Sequence, residues 1–275
     1  STLDICQQHH IRTFGAGVDE QAASVPLIVE VKGKKIGFAS FAEREYNYTK
    51  NGKMGAKALD VFEDYDRIRQ LKAQVDCVIV LFHGGIENYR YPSPLLRKKC
   101  RKFVDSGANV VLVQHSHCIG SYEKYHGGTI LYGQGNSIFG YRKGDDKWNE
   151  SLVLTVSVED KVSVVFTALE TQSNGLVSLS SNPDGIMVPF MERSAKITDT
   201  AFIEAEWQKF CNEIEPLYLS MLYGHGLQTN RLNRLLRNML VRLLYSKWQL
   251  NVTNNLVRCD AHREVIETLL NKYNY

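Results

Sequence analysis

Short apolar runs broken by polar or glycine residues dominate the first part of the chain, and their period changes from element to element. Leu27-Ile28-Val29-Glu30-Val31 and Lys35-Ile36-Gly37-Phe38-Ala39-Ser40-Phe41 read as two strands joined through Lys32-Gly33-Lys34, a hairpin by composition. Val61 to Ala73 carries Val61, Phe62, Tyr65, Ile68 and Leu71 at helical spacing, with Asp60 as its N-cap. Val78 to Phe82 is a continuous apolar strand, Pro94 to Asp105 a helix ended by Ser106-Gly107-Ala108-Asn109, and Val110 to Val113 the next strand. Strand, helix, strand in that order predicts parallel pairing through a right-handed crossover. Thr129 to Tyr132 adds a third apolar strand, and Ser151 to Val158 with Val162 to Leu169 alternate as a further hairpin. Hairpins and crossover units together predict a mixed, layered α/β domain.

Both ends of the chain depart from this pattern. Thr2 to His10 reads as the tail of a helix and Gly15-Ala16-Gly17 as a flexible loop; the adjacent His9 and His10 diverge on a helix and make a poor chelate. Ser173 to Asp184, rich in Ser, Asn and Gly, reads as a linker or long loop. Beyond it the pattern is helical, from Thr198 to Cys211 and on to a last helix, Asp260 to Tyr273. Leu232, Leu235, Leu236, Met239, Leu240, Leu243 and Leu244 share one face of a predicted amphipathic helix whose polar side carries Arg231, Arg234, Arg237, Arg242 and Lys247. Such a helix lies on an anionic membrane or polyanion, or packs its apolar face and solvates its basic one. The expected organisation is an α/β domain over 1–170, a linker or long loop over 171–197 and a helical region over 198–275.

Composition narrows the classes. A chain of 275 residues, 44% hydrophobic and 23% charged, buries an ordinary core and is not disordered. Its net charge of +3 gives no ground for nucleic acid as a partner. No apolar run reaches the length of a membrane span. The six cysteines fall in no Cys-x-x-Cys pair and read as free thiols in a reducing, cytoplasmic compartment, with membrane association through the 231–247 basic helix. The sequence opens on Ser1 with neither initiator Met nor signal peptide.

Candidate chemistry gathers where three strands stop. Val78 to Phe82 ends in His83-Gly84-Gly85 with Glu87 beyond, Val110 to Val113 in Gln114-His115-Ser116-His117, and Thr129 to Tyr132 in Gly133-Gln134-Gly135-Asn136. Ligands collect outside the carboxyl ends of strands in open α/β sheets, so these endings mark one site. His115 and His117 are two apart and share a face if strand geometry continues through them. With His83 they offer three nitrogen ligands to a Zn-, Mn- or Fe-type divalent ion. Glu87 joins as a ligand or orients His83, and Asn136 holds a metal, steadies an oxyanion or simply closes a turn. Gly135 and its neighbouring glycines let backbone approach a ligand or serve as turn residues. Glu43-Arg44-Glu45-Tyr46-Asn47, at another strand end, contacts substrate through Glu43 and Arg44 or is a solvated loop. The basic side of the Pro94 to Asp105 helix, Arg97, Lys98, Lys99, Arg101 and Lys102, reads as a solvated face. Neither a Gly-x-Ser-x-Gly elbow nor a P-loop occurs, and Cys118 has no evident activating partner.

His83-Gly84-Gly85-Ile86-Glu87, Asp105-Ser106-Gly107-Ala108-Asn109-Val110-Val111, His115-Ser116-His117 and Tyr132-Gly133-Gln134-Gly135-Asn136-Ser137-Ile138-Phe139 resemble, in order and spacing, the CapA family of capsule and poly-gamma-glutamate synthesis proteins. The resemblance covers roughly 1–165. It departs from the family where Gly84 replaces a tryptophan, Ser116 a proline and Val113 a glycine. The family's N-terminal Gly-Asp and Asn-Asn-His motifs, which complete a dinuclear metal site, have no counterpart, and the chain reads as beginning just after them. The resemblance implies a metallophosphatase-like four-layer α/β/β/α sandwich, here with a C-terminal helical extension. It further implies a metal-dependent hydrolase of phosphoester or amide-type bonds in capsule, exopolysaccharide or poly-gamma-glutamate biosynthesis. The alternative is a non-catalytic assembly or polymer-binding protein of the same pathway with an incomplete metal site. Implied partners are an anionic polymer or its precursor and other exopolymer synthesis proteins.

Overall fold

The polar breaks between apolar runs become the turns of a six-stranded sheet. The computed structural model describes residues 2–44, 48–50, 52–222, 227–237 and 239–258. Helix α1 (Thr2–Gln8) opens the chain. The glycine-rich segment expected to be a loop instead supplies β1 (Ala16–Gly17), followed by the short helix α2 (Glu20–Ala23). The predicted hairpin forms as β2 (Leu27–Val31) and β3 (Lys34–Ala42), in the register Leu27 to Phe38 through Val31 to Lys34. β4 (Gly55–Ala56) then pairs antiparallel with β1.

Helix α3 (Asp64–Lys72) begins a turn later than the apolar spacing predicts. The cause is electrostatic. The Asp64 carboxylate turns back to accept the Asp60 N–H (2.7 Å) and to pair with buried Lys57 (3.0 Å), so 60–63 close a capping turn and Phe62 is left exposed. β5 (Cys77–His83), α4 (Pro94–Asp105) and β6 (Val110–Gln114) form the expected crossover, with β5 and β6 parallel. Ser93 caps α4 by accepting the Leu96 N–H, Pro94 occupies its first turn, and Leu96, Cys100, Phe103 and Val104 fall on its buried face.

β7 (Tyr122–Tyr125), which the apolar pattern did not reveal, turns through His126-Gly127 into β8 (Gly128–Leu131). The order across the sheet is β2-β3-β5-β6-β8-β7, with β3, β5, β6 and β8 parallel. A short helix, α5 (Asp146–Asn149), precedes the hairpin β9 (Glu150–Val158) and β10 (Val162–Thr171). The 171–197 stretch is not a linker: it contains β11 (Val177–Leu179), paired to β10, and α6 (Pro183–Ala195). Asn182 caps α6 by accepting the Gly185 N–H, which turns the Ser/Asn-rich stretch into a helix start.

One core lies between the central sheet and α3 and α4, with Phe103 against Phe41, Tyr65 and Phe82. A second lies between the two sheets, where Cys77, Ile79 and Val110 meet Leu154, Val156, Val162 and Val164. Ile186 and Phe190 of α6 close that space against Leu131, Leu152 and Ala168. The described residues thus stack helix, sheet and sheet in an α/β fold with a central sheet.

The basic side of α4, predicted to be solvated, is sequestered in part. Arg97 is 5% exposed, and Glu123 of β7, 2% exposed, lies within ion-pair reach of Arg97 (3.8 Å) and bonds Arg101 and the Tyr132 hydroxyl (2.8 Å). Lys98 and Lys102 remain exposed. The unpredicted strand β7 explains the difference, because it supplies the buried carboxylate that draws the guanidinium groups inward.

Two compact units divide the chain, Ser1–Gln208 and Lys209–Tyr275. The helix α7 (Thr200–Leu222) runs through that boundary. In the second unit the helix expected across 231–247 is not continuous: α8 (Leu227–Leu235), α9 (Met239–Leu244) and α10 (Lys247–Arg258) replace it, and Arg237 takes a positive φ of 50° between the first two. That backbone conformation ends a right-handed helix while leaving the leucine spacing intact. Leu232, Leu235, Met239 and Leu243 are exposed. No helix among the described residues is long and apolar enough to cross a membrane. The helix expected over Asp260 to Tyr273 lies outside the described residues.

Candidate metal and substrate site

The three strand endings converge. His83 at the end of β5, Gln114 and His115 at the end of β6, and Gln134 to Phe139 after β8 line one cavity of about 300 Å³ together with Ser116 and His117. Parallel register brings them level, because β5 pairs with β6 through His83 opposite Gln114, and β6 pairs with β8. The His83 and His115 rings meet edge to face with centroids 4.8 Å apart, and those of His115 and His117 lie 6.3 Å apart.

His115 and His117 do not come together by continued strand geometry. β6 ends at Gln114, and both histidines take positive φ, 134° and 53°. Non-glycine residues rarely adopt this conformation, and where they do the surroundings hold it. Here the Ser116 carbonyl accepts the Asn88 N–H (2.7 Å) and the Ser116 hydroxyl donates to the Cys118 carbonyl (3.0 Å), which pins the turn from both sides.

Asn136 is the organising residue, and it is 2% exposed. Its amide nitrogen donates to the carbonyls of His117 (3.2 Å) and Trp148 (3.1 Å). Those two acceptors leave Oδ1 as the atom 2.9 Å from His117 Nδ1. Nδ1 therefore carries a proton, so that in the neutral ring Nε2 keeps the lone pair with which an imidazole binds a metal. Gly135 makes this placement attainable. Its φ is 81°, and a Cβ there would stand 2.3 Å from the Glu150 carbonyl.

Trp148 was not visible as a site residue in the sequence. It stacks on His117 at 4.9 Å and 23°, Phe139 meets the same imidazole edge-on at 4.9 Å, and Arg142 lies over the indole. Asp145 caps the short helix that positions it. The Asp145-x-x-Trp148 spacing was the available signal, a cap followed by an aromatic residue close after the Asn136 turn. Ile138 and Phe139 form an exposed apolar lip to the cavity.

The predicted carboxylates are elsewhere. Glu87 is exposed and does not line the cavity. Glu43 is half-buried and bound to Lys99 Nζ (2.7 Å) and the Gly85 N–H (3.1 Å), while Arg44 is exposed; neither lines the cavity. Glu45, Tyr46 and Asn47 lie outside the described residues. Burial raises the Cys118 thiol above its ordinary range, which keeps it protonated and unsuited to nucleophilic attack. Burial likewise raises the Glu150 carboxyl beside the Asn136 turn. Cys6, Cys77, Cys100, Cys118 and Cys211 are free thiols; Cys259 lies outside the described residues.

Imidazole is a suitable ligand for divalent Zn, Mn and Fe, and the tautomer imposed on His117 is the one that leaves a coordinating nitrogen. The donor chemistry therefore fits such an ion. Among the described residues, no three His, Cys, Asp or Glu side chains stand together in metal-binding geometry, and no carboxylate lines the cavity.

A stretch of 68 residues is 35% identical to the capsule biosynthesis protein CapA of Bacillus anthracis, covering 25% of this chain and 16% of that protein. Over 72 residues the chain is 33% identical to the PGA biosynthesis protein CapA of Bacillus subtilis, covering 26% of this chain and 19% of that protein. The matches thus span less than a fifth of either relative. Among solved structures, a phosphatase of Mycoplasma pneumoniae aligns with 14% identity and a TM-score of 0.32, over 56% of this chain and 54% of that one. A hypothetical protein of Thermus thermophilus aligns with 12% identity and a TM-score of 0.35, over 53% of this chain and 61% of that one. Likenesses this distant carry no argument about activity. Residues 1–141, which include every histidine of the cavity and Asn136, match the family model described as bacterial capsule synthesis protein PGA_cap, and the chain belongs to that family.

Proposed function

We propose that the cavity is the metal-binding part of a hydrolytic centre acting on a phosphoester or amide-type bond in a capsule polymer or its precursor. The observation that carries this reading is the His117 arrangement: an imidazole in a strained backbone position, its Nδ1 bonded to a buried asparagine, beside two further imidazoles. His83, His115 and His117 would hold a divalent ion of Zn, Mn or Fe type. Such an ion, when bound, polarises the scissile group and lowers the pKa of its water toward neutrality.

The rest of the chemistry falls to the chain. Asn136 holds the His117 tautomer, Trp148 and Phe139 hold the ring plane, and the apolar lip of Ile138 and Phe139 limits water at the mouth. Among the described residues no carboxylate lines the cavity, so none there repels an anionic substrate.

That same lack of a lining carboxylate among the described residues supports a second reading, a non-catalytic assembly protein that binds an anionic polymer. Titration calorimetry with Zn²⁺ and Mn²⁺, alongside turnover of a generic phosphodiester, separates the two in the protein and in His115→Ala. The hydrolase reading expects binding and turnover that both fall at least about tenfold in the variant. Metal binding without turnover supports the assembly reading. If neither binding nor turnover depends on His115, the metal centre is wrong.

A further inference from the structure

His83 ends β5 and is followed by two glycines, so the backbone just after it can be held by a neighbouring segment. The support comes from a different strand end. Glu43 follows β3 and spans the His83-Gly84-Gly85 turn: its own N–H donates to the His83 carbonyl (2.9 Å), and its carboxylate accepts the Gly85 N–H (3.1 Å). Lys99 of α4 holds the other carboxylate oxygen at 2.7 Å and is itself only 19% exposed. Gly84 leaves room for this arrangement, since a Cβ there would stand 2.8 Å from the Glu43 Cγ and Cδ. Bonds on both sides of Gly84, directly after His83, therefore come from one residue, and Lys99 of the helix packed on the sheet locks that residue in place.

We propose that Glu43 is a positioning residue, clamping the turn that presents His83 to the cavity, with Lys99 fixing its carboxylate. This assigns the acidic residue after β3 a role within the protein rather than on a substrate, and it rests on the reading of His83 as a metal ligand. Because Lys99 neutralises Glu43, the clamp adds no net charge near an anionic substrate. The charge pair is half-buried and bonded to a backbone N–H, so it differs from an exposed ion pair of little consequence.

The test uses the whole chain without metal first. Hydrogen exchange at the Gly85 amide reads the clamp directly, with the Gly84 amide, bonded to the Gln114 carbonyl at 2.9 Å, as internal reference. In Glu43→Ala, protection at Gly85 falls at least about tenfold while Gly84 changes little; Glu43→Gln, which keeps an acceptor oxygen, restores most of it. Gly84→Ala displaces the carboxylate without altering Glu43 and gives the same loss, which serves if Glu43→Ala fails to fold. Zn²⁺ affinity then falls about 10- to 100-fold in Glu43→Ala and Gly84→Ala. Unchanged Gly85 protection in a folded Glu43→Ala or Gly84→Ala overturns the clamp. Lost protection with unchanged Zn²⁺ affinity overturns its role in positioning His83. If the unaltered protein binds no Zn²⁺ at all, the metal reading fails, and with it this role, whereas the Gly85 exchange still reports on the clamp itself.

Discussion

At the carboxyl ends of β5, β6 and β8 the polar side chains are mostly imidazoles and amides, held by hydrogen bonds of the amides and by ring stacking. Against α4, on the helix-covered face of the same sheet, Glu123 lies between Arg97 and Arg101 almost entirely out of water. The contrast separates charge from chemistry. Basic residues of α4 that read as a solvated face serve the fold, whereas an asparagine that also reads as a turn residue, and a tryptophan not visible as a site residue in the sequence, hold the candidate site. A buried charge must be matched where it lies, so it tends to be committed structurally. A neutral amide can order a histidine without adding charge at the site.

Removing one member of the buried ion network is the most severe way to probe this contrast. Glu123→Ala leaves Arg97, two of whose nitrogens already lack hydrogen-bond partners, uncompensated, and is expected to cost about 3–5 kcal/mol in urea denaturation. Lys98→Ala, on the same helix but exposed, changes stability by no more than about 0.5 kcal/mol. If the two variants cost the same, the network is not what buries the basic side of α4.

Asn136→Ala removes the acceptor at His117 Nδ1 and both donors to buried carbonyls, at an expected cost of about 1–3 kcal/mol. Its distinguishing effect is on the cavity: Zn²⁺ affinity falls about 10- to 100-fold by calorimetry, which Lys98→Ala leaves unchanged. An Asn136→Ala protein that loses stability but keeps full Zn²⁺ affinity would move Asn136 to the structural side of the comparison.

The smallest expected effect concerns pH. Burial raises the Cys77 thiol from 9.0 to about 11 and the Tyr65 hydroxyl from 10.0 to about 12. Both belong to the cores rather than the cavity. Because these folded values are raised, their stabilising contribution is complete below the unfolded values of 9.0 and 10.0. It is lost as pH rises through the folded ones, since the unfolded chain ionises first. Denaturation midpoints should hold to about pH 9 and then decline. Cys77→Ala should remove part of the decline between pH 9 and 11. A midpoint that stays level to pH 11 would show that these groups are more open to water than their burial indicates.

Hydrophobic period made the hairpins and the β5-α4-β6 crossover legible, because burial on one face of a strand or helix must repeat at that element's own spacing. It failed where polar side chains decide. β7, with Tyr122-Glu123-Lys124-Tyr125, carries its buried member as a glutamate, so its inward face looks polar. α6 is hidden behind a Ser/Asn-rich start that turned out to be its cap. Sustained leucine spacing over 232–244 hid the break at Arg237, because spacing does not register a single residue of positive φ.

For the site, the sequence alone placed His83, His115, His117 and Asn136 at or just past the ends of three apolar runs that were expected to gather at one site. Tertiary structure decided the rest. It placed Trp148 on His117, took Glu87 out of the cavity and bound Glu43 to Lys99 and Gly85. These outcomes depend on contacts between segments far apart in the chain and on turns of positive φ, and neither leaves a periodic trace. Strand order follows from burial that each segment requires by itself; the orientation of an imidazole or a carboxylate follows from whichever partner the completed fold brings within hydrogen-bond distance.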